Sequence, residues 1–364
     1  MESGLSIPIC DLHCDTATNL LLGSSLTDTS MQVNLPAMRR GGIGLQVFAC
    51  YIPPAIPKGS AFAMAEKMIL HLKTELGRHP EMALALSLAE VRAAREQGKI
   101  AAMIAVENGN AIDADLGNLE KLHHLGVRLM TIIHAESNEW AISSNDPSPA
   151  FAGLSDFGRD VIQAMDDLGM IIDVSHSHDR TVEEVLKSSR KPVIASHSCA
   201  KTLCPAARNL PDELIAGLAY SGGLIGVNLY PGFLDGTYSE QITATAGDLF
   251  TELGKMEREA GSDLVKIGRL FPEFSRNFAA AMGENLLPLE RYYDHLLYIT
   301  EMIGAEYLAF GSDFDGVPIL PAGVTDCSSL RTIQQGLLER DYSVDEVEAI
   351  SWENFLRIVG AVCG

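Results

Sequence analysis

The stretch Ile9-Cys10-Asp11-Leu12-His13-Cys14-Asp15-Thr16-Ala17 decides how the rest of the chain is read. Its residue types suit a strand, yet acid, histidine and acid recur at every second position. Side chains alternate between the two faces of a strand, so Asp11, His13 and Asp15 are expected on one face. Cys10, Leu12 and Cys14 are expected on the other, against apolar neighbours. Three polar groups in a row on a sheet face require water or an ion to satisfy them. Taken alone, the stretch fits an edge strand with a solvated face equally well.

Working outward, seven more β-type runs follow: Leu45–Tyr51, Ala101–Glu107, Arg128–His134, Met170–His176, Val193–His197, Leu224–Tyr230 and Tyr307–Asp313. Helix starts lie between several of them, at Ser87-x-x-Glu90, Thr181-x-x-Glu184 and Ser343-x-x-Glu346. Eight strands alternating with helices predict a parallel sheet closed into a (β/α)8, TIM-like barrel. The 364 residues are read as a single barrel domain, 1–364, with helical insertions at about 53–100 and 231–306. The first insertion is expected to hold two helices. In the second, Ala244–Ala260 and Pro288–Ile303 read as helical and Gly261–Leu287 as less regular.

A formal charge of −21 and a pI near 4.8 argue against nucleic acid and anionic membranes as partners, since both would repel the chain. No basic segment followed by an apolar run opens the sequence, and no stretch of about 18 apolar residues occurs, so neither a signal peptide nor a membrane span is expected. The seven cysteines are odd in number and contain no C-x-x-C pair, which fits a reduced, cytoplasmic setting.

The chemistry sits where the runs end. His13 and Asp15 close the first, Glu107 the third, His134 the fourth, His176 the fifth, His197 the sixth, Tyr230 the seventh and Asp313 the eighth. Of ten histidines, four fall at these ends. The C-terminal rim of such a barrel surrounds one shared pocket, so residues far apart in sequence converge there. A single strand-end histidine reads best as a satisfied core residue; a whole set on one rim reverses that reading. Imidazoles with carboxylates and no thiolate suit Zn²⁺ or a similar borderline metal. The donors are too many for one catalytic ion, and enough for two ions about 3.5–4 Å apart sharing a carboxylate and a water.

Several stretches also resemble the membrane (renal) dipeptidase family of dizinc peptidases and its bacterial members. They are D-L-H-C-D (Asp11–Asp15), V-E-N-G (Val106–Gly109), T-I-I-H (Thr131–His134), I-D-V-S-H (Ile172–His176), P-V-I-A-S-H-S (Pro192–Ser198), A-R-N-L-P-D (Ala207–Asp212) and G-S-D-F-D-G (Gly311–Gly316). The resemblance implies that His13 and Asp15 bind one zinc, that His176 and His197 bind the other, and that Glu107 bridges them. It further implies that His134 contacts the substrate, that Arg208 holds the substrate carboxylate, and that Asp313 manages proton transfer. Two Zn²⁺ ions per chain, a small dipeptide substrate that tolerates a D-residue at its C-terminal position, and a homodimer are implied too. The secretion signal and lipid-anchor tail of mammalian relatives have no counterpart here, and Asp235–Leu287 is longer than in those relatives.

In physical terms, two cations would acidify a bridging water, which attacks the peptide carbonyl while His134 stabilises the developing charge. Asp313 would carry the proton to the leaving amine, and Arg208 would pair with a free α-carboxylate. Simpler roles are open for some residues. Arg208 pairing with Asp212 on the surface is one, and His178 as a loop histidine is another. Asp11 and Asp315 would orient ligand histidines, Cys14 would face the helices, and Tyr230 and Trp140 would either wall the pocket or pack. The competing readings are another dinuclear barrel hydrolase, acting on cyclic amides, lactones or phosphoesters, and a metal-binding relative without catalysis. Strand one carries His-x-Asp, not His-x-His, and no lysine lies near His134, which disfavours the former.

Overall fold

The computed structural model describes residues 7–54 and 56–364. Nine parallel strands are ordered β1 (Ile9–Asp11), β2 (Ile43–Tyr51), β3 (Met82–Leu84), β4 (Ile100–Glu107), β5 (Val127–Thr131), β6 (Ile171–Asp173), β7 (Val193–Ser198), β8 (Leu224–Val227) and β9 (Leu308–Phe310). Eight of them close a barrel in the order β1-β2-β4-β5-β6-β7-β8-β9, with β9 returning to β1 through the pair Asp11 and Phe310. The longest seam runs from Leu45 opposite Ala101 to Tyr51 opposite Glu107. β3 stands outside the ring, pairing with the first residues of β4. The eight sequence runs are the eight barrel strands, although most strands end two or three residues before the run does.

The inside and outside of the barrel follow from side-chain alternation. Cys10, Leu45, Met103, Leu129, Ile171, Ile194, Leu224 and Ala309, one from each strand, form one apolar cluster with Trp352 and Phe355 near the C-terminus. That cluster fills the barrel floor. The alternate residues, among them Phe48, Ile104, Met130, Ile172 and Phe310, pack in the cluster shared with the helices.

β1 departs from the expected parity. Cys10 and Leu12 belong to the floor cluster and not to the helix side, whereas Cys14 does pack outward, with its thiol against the Val47 carbonyl at 3.4 Å. The reason is local: the register slips between Ile9 and Cys10, and the regular strand stops at Asp11. Strict alternation therefore does not reach His13.

The insertions are helical, with corrections. Two helices, Ala61–Gly77 and Leu88–Glu96, occupy the first, as expected, but β3 lies between them. In the second, the stretch read as irregular is the helix Leu264–Met282, and the preceding helix is longer than its pattern, spanning Gly236–Ala260. Asp263 caps the later helix by accepting from the Val265 and Lys266 amides. Its interior Pro272 costs about 3 kcal/mol. Burial of Ile267, Leu270, Phe274 and Phe278 outweighs this, since each large apolar side chain contributes about 1.5–3 kcal/mol. The next helix is Glu290–Ile303.

Ser87 and Ser343 cap their helices as their motifs predict. Thr181 does not: that helix spans Asp179–Ser188 and is capped by His178, while the Thr181 hydroxyl is buried against the Ile142 and Gly153 carbonyls. All seven cysteines are free thiols. Among the described residues no helix is long and apolar enough to cross a membrane.

Candidate functional site

At the C-terminal rim, each strand hands its chemistry to the turn that follows it. Glu107 is the last residue of β4 and His197 lies within β7, while His134, His176 and Asp313 sit three residues past β5, β6 and β9. His176 and Asp313 adopt the left-handed region, with φ of 68° and 63°. For residues with a Cβ this conformation costs about 1–2 kcal/mol. It is held by a hydrogen bond from the Ser144 amide to the His176 carbonyl (2.8 Å) and by one from the Asp313 amide to the His13 carbonyl (3.2 Å). Gly316 clears the space between two acids: a Cβ there would stand 2.0 Å from Asp15 Oδ2 and 2.7 Å from Asp313 Oδ1.

Glu107 is the hub. Its Oε2 lies 3.6 Å from His13 Nε2, and its Oε1 lies 3.1 Å from His176 Nε2 and 3.5 Å from His197 Nε2. His13 Nε2 is also 3.6 Å from Asp15 Oδ2 and 3.9 Å from Asp313 Oδ1, and His134 Nε2 is 3.8 Å from Glu107 Oε1. The two carboxylate oxygens therefore face two different sets of imidazoles. His176 and His197 bring their Nε2 atoms to 2.9 Å from each other. All the residues expected in the site are brought together there except Arg208, which lies just beneath.

Most of these contacts are too long for hydrogen bonds. His13 is fully buried with neither ring nitrogen partnered, and Asp15 Oδ1 and His134 Nδ1 are buried without partners as well. Buried polar atoms are ordinarily satisfied, so a cluster of orphans around one carboxylate marks a place built for something more. Nitrogen and carboxylate donors in groups of three, such as His13, Asp15 and Glu107, fit a divalent cation. Burial opposes charge on His13, yet Glu107 and Asp15 hold its imidazole well above the usual histidine range. Burial and then the positive charge of Arg208 hold His176 well below it, and burial with His13 does the same to His197. Their neutral Nε2 lone pairs are the form a metal needs.

The residues around this hub fix it. Asp173 at the end of β6 accepts from the Ser196 hydroxyl (2.6 Å), whose oxygen lies 2.7 Å from His197 Nδ1. With the hydroxyl proton committed to Asp173, His197 Nδ1 donates, and its Nε2 is left free to face Glu107. Asn228 donates to Asp313 Oδ2 at 2.8 Å, which leaves Oδ1 toward His13. Sequence reading missed both Asp173 and Asn228. The D in I-D-V-S-H was the available signal for the first; a neutral Asn past β8 offered none.

Other expectations divide. Asp11 does not touch a histidine side chain: it accepts from Ser312 and Gln46, tying β9 to β1 and β2. Asp315 likewise anchors the turn at Gln32 and Val33, together with the Thr16 hydroxyl. Arg208 is buried and unrelated to Asp212; it donates to the Ser198 hydroxyl and the His197 carbonyl, and its Nε has no partner. Tyr230 lines the cavity. Trp140 does not, and packs instead against Gly109, where a Cβ would meet its ring at 2.3 Å.

A cavity of about 560 Å³ opens above the cluster, lined by Glu107, His134, His176, Asp15 and Asp313 below and by the helices Gly236–Ala260 and Leu264–Met282 above. Burial holds His134 down at about 3 and raises Asp313 above the usual carboxylate range. A smaller recess of about 190 Å³ beside Trp140 holds none of the site residues.

Comparison with known proteins agrees with this architecture. Dipeptidase 3 of Rattus norvegicus is 27% identical over 363 residues, covering 96% of this chain, and the alignment takes in 64% of the rat protein, somewhat under two thirds. Dipeptidase aclJ of Aspergillus oryzae is 28% identical, across 98% of this chain and 78% of its own. Among solved structures, a metallopeptidase named dipeptidase AC superposes with a TM-score of 0.80 at 24% identity and covers 99% of both chains, which takes in the second insertion. A Rhodobacter sphaeroides metallopeptidase liganded with a phosphinate mimic of L-Ala-D-Ala gives 0.79 at 23% identity, covering 98% of this chain and 99% of that one. The family model for membrane dipeptidases matches residues 5–363, and the chain belongs to that family, peptidase family M19.

Proposed function

We propose that this protein is a metal-dependent dipeptidase that hydrolyses the peptide bond of free dipeptides, L-Xaa-D-Xaa substrates included. The observation that carries the reading is the split of Glu107, whose two oxygens face His13 on one side and His176 and His197 on the other among unpartnered buried donors. His13, Asp15 and Glu107 would hold one Zn²⁺, and Glu107, His176 and His197 a second. Bound there, the ions supply Lewis acidity and lower the pKa of water toward neutrality.

The chain's own groups do the remaining work. Asp313, steadied by Asn228 and inclined by burial to take a proton, receives one from the attacking water and returns it to the leaving amine. His134, neutral at physiological pH, donates a hydrogen bond to the carbonyl oxygen as charge develops on it. Arg208 brings a permanent cation beside Asp313 and Glu107, and its unpartnered Nε–H complements a free α-carboxylate, which favours dipeptides over longer chains. The strands from residue 9 to 310 close one ring, which supports reading the chain as a single domain with two insertions.

A panel of L-Ala-D-Ala, L-Ala-L-Ala, dihydroorotate and an aryl phosphotriester, assayed with and without chelator, tests the assignment. Turnover confined to the dipeptides and lost by about 10³-fold or more with chelator is expected, several kcal/mol being the usual contribution of such ions. Turnover of dihydroorotate or the phosphotriester in preference to both dipeptides, or no turnover at all, would overturn it.

A further inference from the structure

We propose that the helical roof over the cavity is a side-chain subsite that selects dipeptides with a bulky apolar N-terminal residue; this rests on the dipeptidase reading above. Phe250, Leu253, Gly254, Glu257 and Arg258 all line the cavity, and their spacing (i, i+3, i+4, i+7, i+8) is one face of the helix Gly236–Ala260. Ile267, Phe271 and Phe274, at i, i+4 and i+7 of the helix Leu264–Met282, line it too. Both helices of the pair thus turn an apolar stripe toward the hollow that contains Glu107, His134, His176 and Asp313.

Two features of this roof point to a ligand group. Phe250 packs on Phe274 with ring centroids 5.0 Å apart, yet remains 40% exposed, so an apolar group entering the cavity gains by covering it. Gly254 stands mid-helix on the same face, where a Cβ would meet nothing nearer than Arg258 Nη1 at 3.7 Å. Glycine in a helix interior costs about 1 kcal/mol relative to alanine. Here it leaves open the space a side chain would fill. The charged residues of the stripe are already engaged, Glu257 accepting from the Tyr51 hydroxyl at 3.3 Å and Arg258 pairing with Glu136 at 3.3 Å, so apart from Thr251 the free part of the roof is apolar. The cavity, about 560 Å³, lies within the range of about 300–1,000 Å³ that houses much larger ligands than two alanines.

The direction of the substrate follows from the walls. Arg208 lies under Phe233, 5.7 Å from its ring centroid, and Phe233 stacks edge-on to Tyr230. A carboxylate held by Arg208 places the C-terminal residue along that wall. Tyr51 joins the His134 side of the cavity to the roof, its ring 4.8 Å from that of His134 and its hydroxyl on Glu257. The N-terminal side chain therefore rises into the stripe of Phe250, Gly254 and Phe271.

The test compares kcat/KM for L-Phe-L-Ala, L-Ala-L-Phe and L-Ala-L-Ala on the metal-loaded protein, with calorimetric binding of the matching phosphinate analogues as a second readout. L-Phe-L-Ala should exceed L-Ala-L-Ala by about tenfold to a hundredfold, the ratio expected from burying a phenylalanine side chain. Gly254→Leu, which fills the space while favouring the helix, should cut that ratio at least tenfold, and Phe250→Ala should reduce it in the same direction. A ratio near one, a preference that appears on L-Ala-L-Phe instead, or a ratio moved by neither variant would overturn the subsite and leave the dipeptidase reading standing. Turnover of none of the three overturns the subsite, and the dipeptidase reading falls with it only if L-Ala-D-Ala is not hydrolysed either.

Discussion

His13 and His295 are both completely shielded from solvent, and they differ in what surrounds them. His295 accepts from the Ala200 amide at 3.1 Å on one nitrogen and meets the Leu234 carbonyl at 3.1 Å on the other. His13 has no partner on either. The same contrast separates two acids. Glu75 sits beside His79, Arg78, Ser25 and the Leu26 amide, all between 2.6 and 3.0 Å, whereas Glu107 is surrounded by imidazoles at 3.1–3.8 Å. Burial of a titratable group is common to both regions. What distinguishes the barrel mouth is burial left unsatisfied, and that is a property of geometry, invisible in residue type.

The comparison is broken most directly at Asp313. Asp313→Asn should retain bound metal, measured by elemental analysis, and lower kcat by about 10²-fold or more, the scale of lost general acid–base help. Near-normal turnover would reduce the mouth acid to a structural one like Glu75. A smaller effect sharpens the histidine pair. In chelator, His295→Leu strips partners from a buried amide and a buried carbonyl and should cost about 2 kcal/mol or more in urea unfolding. His13→Leu breaks no hydrogen bond, so its cost should come from leaving Glu107 and Asp15 unopposed and should shrink as acid neutralises them; a cost that does not fall with pH would dissolve the distinction.

The smallest expected effect is on the acid side. Burial opposes charge on Glu75, but Ser25 and His79, with Leu26 and Arg78, hold it down at about 2. Its stabilisation is therefore complete above its usual value near 4.5 and is lost as pH falls from there toward 2. Glu75→Gln should lower stability by about 2 kcal/mol at neutral pH and flatten that part of the acid-unfolding curve. An unchanged curve would show that the filled site is no tighter than the open one.

The barrel was legible because eight apolar runs repeat with helices between them, and the rim because His134, His176 and Asp313 are the last residues of their runs. The runs overshot the strands, since a turn entered through a left-handed residue looks no different in sequence from two more residues of strand. Asp173 escaped notice because it acts on His197 only through Ser196. The helix Leu264–Met282 was hidden by Pro272, whose local cost is visible in sequence while the tertiary burial that offsets it is not. Parity in β1 failed at the register slip beside Ile9, which the residue types do not mark.

The pairing of Asp11 with Phe310 joins segments 299 residues apart. Closing so large a loop is slow, and it delays completion of the barrel mouth, since Asp313 emerges only when most of the polypeptide has been made. During synthesis His13 and Asp15 emerge long before Asp313, the acid that faces them across the mouth. A site assembled before then would lack the acid proposed to move the proton, so a working mouth belongs to the end of folding and not to its beginning.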